Sequence, residues 1–162
     1  MKIQKKDAIA LYKKMSLIRH VEETLAGIYP LKEMRTPVHF SIGQEAIASG
    51  VCHALKNSDA VFASHRSHAA YLSKGGDLDG MVAEIFGKRT GVAGGRSGSA
   101  HLSDNKVNMF SAPILGSYVA LACGAALAFK MDKKNNIAAA FFGDAAIEEG
   151  VFAESLNFAL TK

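Results

Sequence analysis

The sequence has no tryptophan, only two cysteines and three prolines among 162 residues, and no long apolar run. Two thiols are too few for a disulfide scaffold. The longest nearly apolar run, Tyr118 to Phe129, falls short of the about 20 residues that span a bilayer, so no membrane partner is expected. A Walker loop, a Gly-x-Gly-x-x-Gly turn and a Gly-x-Ser-x-Gly elbow are all missing, which removes the usual nucleotide and hydrolase readings. Charge of one sign is also scarce: 19 Lys and Arg against 15 Asp and Glu leave a net +4. The lysines near the start (Lys2, Lys5, Lys6, Lys13, Lys14) and at Lys130, Lys133 and Lys134 lack the interleaved aromatics of a nucleic-acid groove. They read as solvated helix faces, no nucleic-acid partner is expected, and a mildly basic chain leaves a phosphorylated cofactor open.

What is present is an ordinary globular composition, 49% apolar and 21% charged, which excludes a disordered tail. The 15 glycines and a large share of alanine suggest closely packed helices and tight turns. Cys52 and Cys123 sit in apolar, helix-like runs and read as buried free thiols of a reducing compartment. No apolar stretch follows the basic residues at the start, so a secretory signal is not expected and the cytoplasm is the default.

Leu11, Met15, Ile18, Val21 and Leu25 recur at steps of three and four, which predicts an amphipathic helix over 7–28 with Asp7 at its start. Ser41-Ile42-Gly43-Gln44 has the form of a capping box, opening a helix with Ile47, Val51 and Leu55 on one face. Ala60 to Ala63 reads as a short strand. Residues 65–74 read as a helix stopped by Gly75-Gly76, and Asp77 caps another that carries Met81, Val82, Ile85 and Phe86 to Gly87. The glycine- and arginine-rich stretch 88–98 is a loop. A buried helix is predicted from Ser117 to Lys130, and a strand covered on both faces over Ile137–Phe142. A further helix runs from about Ala146 to Leu160.

Six helices against two strands is an unbalanced α/β count. A parallel strand covered on both faces needs neighbours. The expectation is a single, incomplete domain over 1–162, whose sheet is finished by a further segment or by a partner.

Three features could carry chemistry. The sharpest is Phe141-Phe142-Gly143-Asp144-Ala145-Ala146, a strand ending in Gly-Asp at the start of a helix. Ligands bind at such strand ends, helix N-termini offer N–H groups to phosphate, and a carboxylate there suits a hard cation such as Mg2+. The alternative is that Asp144 merely caps the helix; Glu148 and Glu149 then answer the helix dipole. The second is His65-Arg66-Ser67-His68, an anion-binding pair or, with His101, a zinc site. The third is the loop ending Ser97-Gly98-Ser99-Ala100-His101, either a close backbone approach to a ligand or a plain flexible loop.

These motifs and Ser41-Ile-Gly-Gln-Glu-Ala46, taken in order, closely resemble the alpha subunit of thiamine-diphosphate-dependent 2-oxo acid dehydrogenases, over about residues 7–162. The resemblance implies a three-layer α/β thiamine-diphosphate-binding fold with a mostly parallel sheet, truncated here before the later strands. It implies thiamine diphosphate and Mg2+ as cofactors, with oxidative decarboxylation of a 2-oxo acid and acyl transfer to a lipoyl-bearing acyltransferase. A beta subunit, in a heterotetramer, is the other implied partner.

By position, the resemblance implies that Asp144 is the magnesium ligand, that the backbone of Ala145 and Ala146 would face the diphosphate, and that Arg66 is the family's diphosphate-binding arginine. His65 stands where many members have Tyr. Pro113 and Leu115 match the segment that meets the aminopyrimidine ring, and His101 a histidine near the reacting carbon, as proton donor or orienter. Ala145 replaces the usual second Gly of Gly-Asp-Gly. The resemblance implies that a second metal ligand, an Asn, falls downstream of Lys162 and that the activating glutamate is on a beta subunit. Two other readings compete: a non-catalytic interaction module, and a transketolase-like carboligase, which needs no lipoyl acceptor.

Overall fold

The computed structural model describes residues 3–162. In chain order it has α1 (Lys5–Ile28), α2 (Glu45–Ala54), β1 (Ala60–Ala63), α3 (His68–Ser73), α4 (Leu78–Ile85), β2 (Met109–Ser111), α5 (Ser117–Met131), β3 (Ala138–Ala140) and α6 (Gly150–Thr161). The strands form one parallel sheet in the order β2-β1-β3. Val61 pairs with Met109 on one side and Ala139 on the other.

Side chains alternate along β1 and so divide the core in two. Val61, Ala63 and Met109 pack against α1 to α4, with Ile18, Tyr71, Met81 and Ile85 fully buried there. Ala60, Phe62, Ala138 and Ala140 face the other way, onto Tyr118, Val119 and Ala122 of α5. The result is three layers, the α/β architecture expected.

The amino ends of β1 and β3 are tied by one side chain. Asp59 accepts the Lys56 N–H at 2.7 Å and the Ile137 N–H at 2.9 Å. Burial raises its pKa, but the two N–H groups together with the Lys56 and Lys74 charges outweigh it, and the carboxyl stays below its ordinary value. Asn136 adds a bond to the Ser58 carbonyl at 2.7 Å.

Several local expectations hold. Asp77 caps α4 by accepting the Gly80 N–H at 2.8 Å. Gly75, at φ 96°, ends the α3 segment in the left-handed region. Others fail. The third strand, β2, was not expected. The strand foreseen over Ile137–Phe142 shrinks to three half-buried residues, because β3 has one strand neighbour and lies at the sheet edge. The 117–131 helix buries only Tyr118, Val119 and Ala122, since α5 covers the sheet with one face. The helix expected from Ala146 begins instead as a 3-10 turn, Asp144–Glu148, with α6 following.

The inward face of α2 is the instructive error. Ile47 is 62% exposed, and Glu45, Ala48, Ser49 and Cys52 point inward. Ser41 does not cap the helix; its N–H donates to the buried Glu22 carboxylate at 3.1 Å. Glu45 is drawn in because Arg19 of α1 forks onto it, Nε to Oε1 at 2.6 Å and Nη2 to Oε2 at 3.2 Å. Small Ala48 and Ser49 then let the helices approach.

The Arg19 hydrogen bond holds the Glu45 carboxyl at about 2, against 4.5 ordinarily. A depressed carboxylate stabilises the fold fully above its unfolded pKa, and that stability is lost as pH falls through the folded one. Wild type should therefore lose stability between about pH 5 and pH 2 more steeply than Arg19→Met. Urea midpoints across that range test this; identical slopes for the two proteins contradict it.

Candidate functional site

The topology opens a crevice. Adjacent strands β1 and β3 are followed by elements on opposite faces: α3 packs in the α1–α4 layer, and α6 packs beside α5. The β1–β2 connection runs through α3 and α4 on one face and the β2–β3 connection returns through α5 on the other, and the carboxyl ends between two such layers are where open α/β sheets bind ligands. Here that space is a cleft of about 410 Å³.

Two loops supply its polar wall. Ser64, His65 and Arg66 leave β1, and Gly143, Asp144, Ala145 and Ala146 follow β3. Leu115, from the loop after β2, closes one side. Six of the residues singled out in the sequence thus meet at one place: His65, Arg66, Leu115, Asp144, Ala145 and Ala146. Pro113 and His101 do not line the cleft. Both stand at the same end of the sheet, because Ala112 N–H bonds the Ala63 carbonyl at 3.1 Å and the carbonyls flanking His101 accept from Ser111 Oγ.

The chemistry of these groups suits an anion with a hard cation. Asp144 is exposed, and among the described residues its carboxylate has no hydrogen-bond or ion-pair partner; it caps nothing. Arg66 is steadied by the Phe40 carbonyl, which leaves most of its guanidinium free. The Ala146 N–H is taken up by the Gly143 carbonyl at 3.2 Å, whereas the Ala145 N–H has no backbone partner among the described residues. Gly143 has φ −92°, and a Cβ built there meets nothing within 4 Å, so neither strain nor crowding in this chain demands glycine. Its bareness leaves space beside the backbone for a bound group. Ala145 is not among the residues at positive φ, so its methyl group is accommodated without strain.

His65 is pushed below its ordinary 6.5, first by burial and then by His39 and Arg66. It enters the cleft as a neutral imidazole at neutral pH. His39, which the sequence did not single out, packs edge-on against it with centroids 4.7 Å apart, and its own Nδ1 is buried without a partner. His68 takes no part in a metal site with His65 and His101. It is fully buried, with Nδ1 2.9 Å from Glu22 Oε1 and Nε2 2.8 Å from Ser99 Oγ. No group of three or more His, Cys, Asp or Glu arranged for a metal occurs among the described residues. A cation here would have Asp144 as its protein carboxylate and phosphate or water oxygens around it, the ligand set Mg2+ favours.

Tyr118 is the other residue that sequence reasoning missed. It lies fully buried beneath the cleft, its hydroxyl against the backbone of Gly116 and Gly143 without completing a hydrogen bond. Its signal was faint: one phenol in a helix of small apolar residues.

With this geometry, comparison with known proteins is informative. Residues 13–162 match the family model for the dehydrogenase E1 component. The chain belongs to that family. It is 42% identical to the alpha subunit of acetoin:2,6-dichlorophenolindophenol oxidoreductase of Bacillus subtilis, over 94% of this chain and 46% of that protein. It is 38% identical to the subunit of the same name from Cupriavidus necator, over 97% and 47%. With the pyruvate dehydrogenase E1 component subunit alpha of Rhizobium meliloti it shares 35%, over 96% and 45%. The chain thus spans about half the length of the curated relatives it matches. This E1 family chain places its Gly-Asp motif and its His-Arg pair on adjoining strand ends, 78 positions apart in sequence at Arg66 and Asp144.

Tyr118→Phe removes a buried hydroxyl that makes no hydrogen bond. The variant should melt at the wild-type temperature or slightly above it, since only an unmet desolvation cost is relieved. A fall worth more than about 1 kcal/mol in thermal melts would show that the hydroxyl is bonded in the folded protein.

Proposed function

We propose that this cleft binds the diphosphate of thiamine diphosphate through Mg2+. In this reading the chain forms the diphosphate-binding part of the alpha subunit of a 2-oxo acid dehydrogenase, the enzyme that oxidatively decarboxylates a 2-oxo acid and passes the acyl group to a lipoyl carrier. The observation that carries the proposal is the unpartnered Asp144 carboxylate on the same cleft as Arg66, at the carboxyl ends of adjacent parallel strands. Family membership supports it, as do relatives whose names include acetoin and pyruvate dehydrogenase alpha subunits.

When bound, the cofactor supplies the electron sink for decarboxylation, and the protein supplies placement and electrostatics. Arg66 neutralises diphosphate charge and fixes it by paired N–H donors. Asp144 would hold the metal, and the Ala145 N–H, which has no backbone partner among the described residues, would be free to meet the diphosphate. His65 adds a neutral N–H donor, because its depressed pKa keeps a second positive charge out of the site. Leu115, with Pro113 beside it, presents backbone to the aminopyrimidine end. His101 serves as proton donor or orienter toward the substrate, a task suited to an imidazole. Because the chain spans about half the length of its curated relatives, its 162 residues form one part of the cofactor site in this reading and turnover belongs to the assembled enzyme.

The test is a titration of the assembled enzyme with thiamine diphosphate, with and without Mg2+, followed by the protein-dependent broadening of the cofactor's phosphorus resonances. Broadening should require Mg2+, and Asp144→Ala and Arg66→Ala should each weaken binding about tenfold or more, the loss expected for a charge-assisted contact. Equal broadening in wild type and both variants overturns the proposal. Association with a partner subunit that survives Asp144→Ala, with no cofactor effect at all, favours the non-catalytic module.

A further inference from the structure

Glu84 is fully buried on α4, outside the cleft, and no cation pairs with it among the described residues. Its carboxylate is met instead by one segment of chain. Oε2 accepts the N–H groups of Ala93 and Gly95, each at 2.8 Å. Oε1 accepts the Ser97 N–H at 2.7 Å, the Ser97 hydroxyl at 2.8 Å and the Gly98 N–H at 3.2 Å. A buried charge persists without a counter-ion only where fixed dipoles replace its water, and here the glycine-rich loop provides them. Burial raises the Glu84 pKa, but the N–H groups of Gly95, Ala93 and Ser97 outweigh it, and the carboxyl stays ionised in the neutral range.

The loop has no helix or strand of its own, so this carboxylate sets its path. The wrap is tight enough to exclude side chains: a Cβ on Gly91 would lie 2.4 Å from Glu84 Oε2, and one on Gly95, at φ 73°, 2.6 Å from the Gly87 carbonyl carbon. At the loop exit, His68 Nε2 holds Ser99 Oγ at 2.8 Å, and Ser67 Oγ donates to the Ser99 carbonyl at 3.3 Å. Ser111 Oγ then donates to the carbonyls of Ala100, at 3.3 Å, and Leu102, at 2.8 Å. His101 lies between them, its side chain exposed. The chain is thus fixed before and after this histidine.

We propose that Glu84 is a positioning residue: its buried carboxylate is the template on which residues 93–98 wind, and that winding sets where His101 stands at the carboxyl end of the sheet. The catalytic meaning of this rests on the role proposed above for His101. The positioning does not require the cofactor, so it is measured on the free protein.

The experiment compares wild type with Glu84→Ala by amide exchange and by the imidazole resonances of His101. Ala93, Gly95, Ser97 and Gly98 amides should lose about tenfold or more of their protection, and the His101 signals should move, while β1 amides keep theirs. Added formate should restore both, since the converging N–H groups remain and formate reproduces the lost carboxylate. Unchanged loop amides and His101 signals overturn the proposal, as does a displaced loop that formate does not restore. If Glu84→Ala fails to fold, Ser97→Ala removes one bond from the loop side. It should shift the same His101 signals less, again with β1 unchanged, and a silent His101 overturns the proposal. A positive result here beside absent thiamine diphosphate binding refutes the cofactor reading alone.

Discussion

β1 is buried on both faces, so the N–H and C=O groups along Ala60–Ala63 must be met within the protein. They are met by a parallel strand on each side: Val61 N–H reaches the Asn108 carbonyl at 2.8 Å, and Ala60 N–H reaches the Ile137 carbonyl at 2.9 Å. Parallel pairing forces long crossovers, and handedness sends those crossovers to opposite faces. The cleft between the ends of β1 and β3 follows from that requirement. The polar groups of the cleft need no special scaffold, because they come from the segments that leave two adjoining strands.

A second layer of buried polar groups fixes what the strands leave loose. Glu22, His68 and Ser99 form a fully buried chain from α1 through α3 to the glycine-rich loop. Its Ser-His-Glu order matches the geometry of a hydrolytic triad, but burial denies it a substrate, and it acts as a bolt that ties α1 and α3 to the glycine-rich loop. Glu84 does the same work inside the loop. Such networks are worth having only when each member is satisfied, and here both Glu22 oxygens and both His68 nitrogens have partners.

How much of this could be read beforehand depended on whether local chemistry decided the outcome. Asp77 capping α4, the stop at Gly75 and the loop over 88–98 were legible, because caps and glycines act within a few residues. The gathering of His65, Arg66 and Asp144 was legible only through the ordered motifs of the resemblance, since no periodicity connects positions so far apart. β2 was hidden because three residues in a polar stretch show no period. The rotation of α2 was misread because Ile47 and Val51 made the more apolar face, while the Arg19–Glu45 pair turned the other one inward. Nothing local in the sequence marks Asp59 and Glu84 as buried; the N–H groups that satisfy them converge only in the fold.

The central claim is that a metal-bound diphosphate sits between the ends of β1 and β3. The most direct measurement replaces Mg2+ with Mn2+ in the presence of thiamine diphosphate and maps the paramagnetic relaxation of backbone amides. The account predicts strong relaxation at residues 64–66 and 143–146, with the amides of α4 and of residues 93–98 much less affected. Relaxation spread evenly over the acidic surface, or concentrated away from the two strand ends, would contradict it.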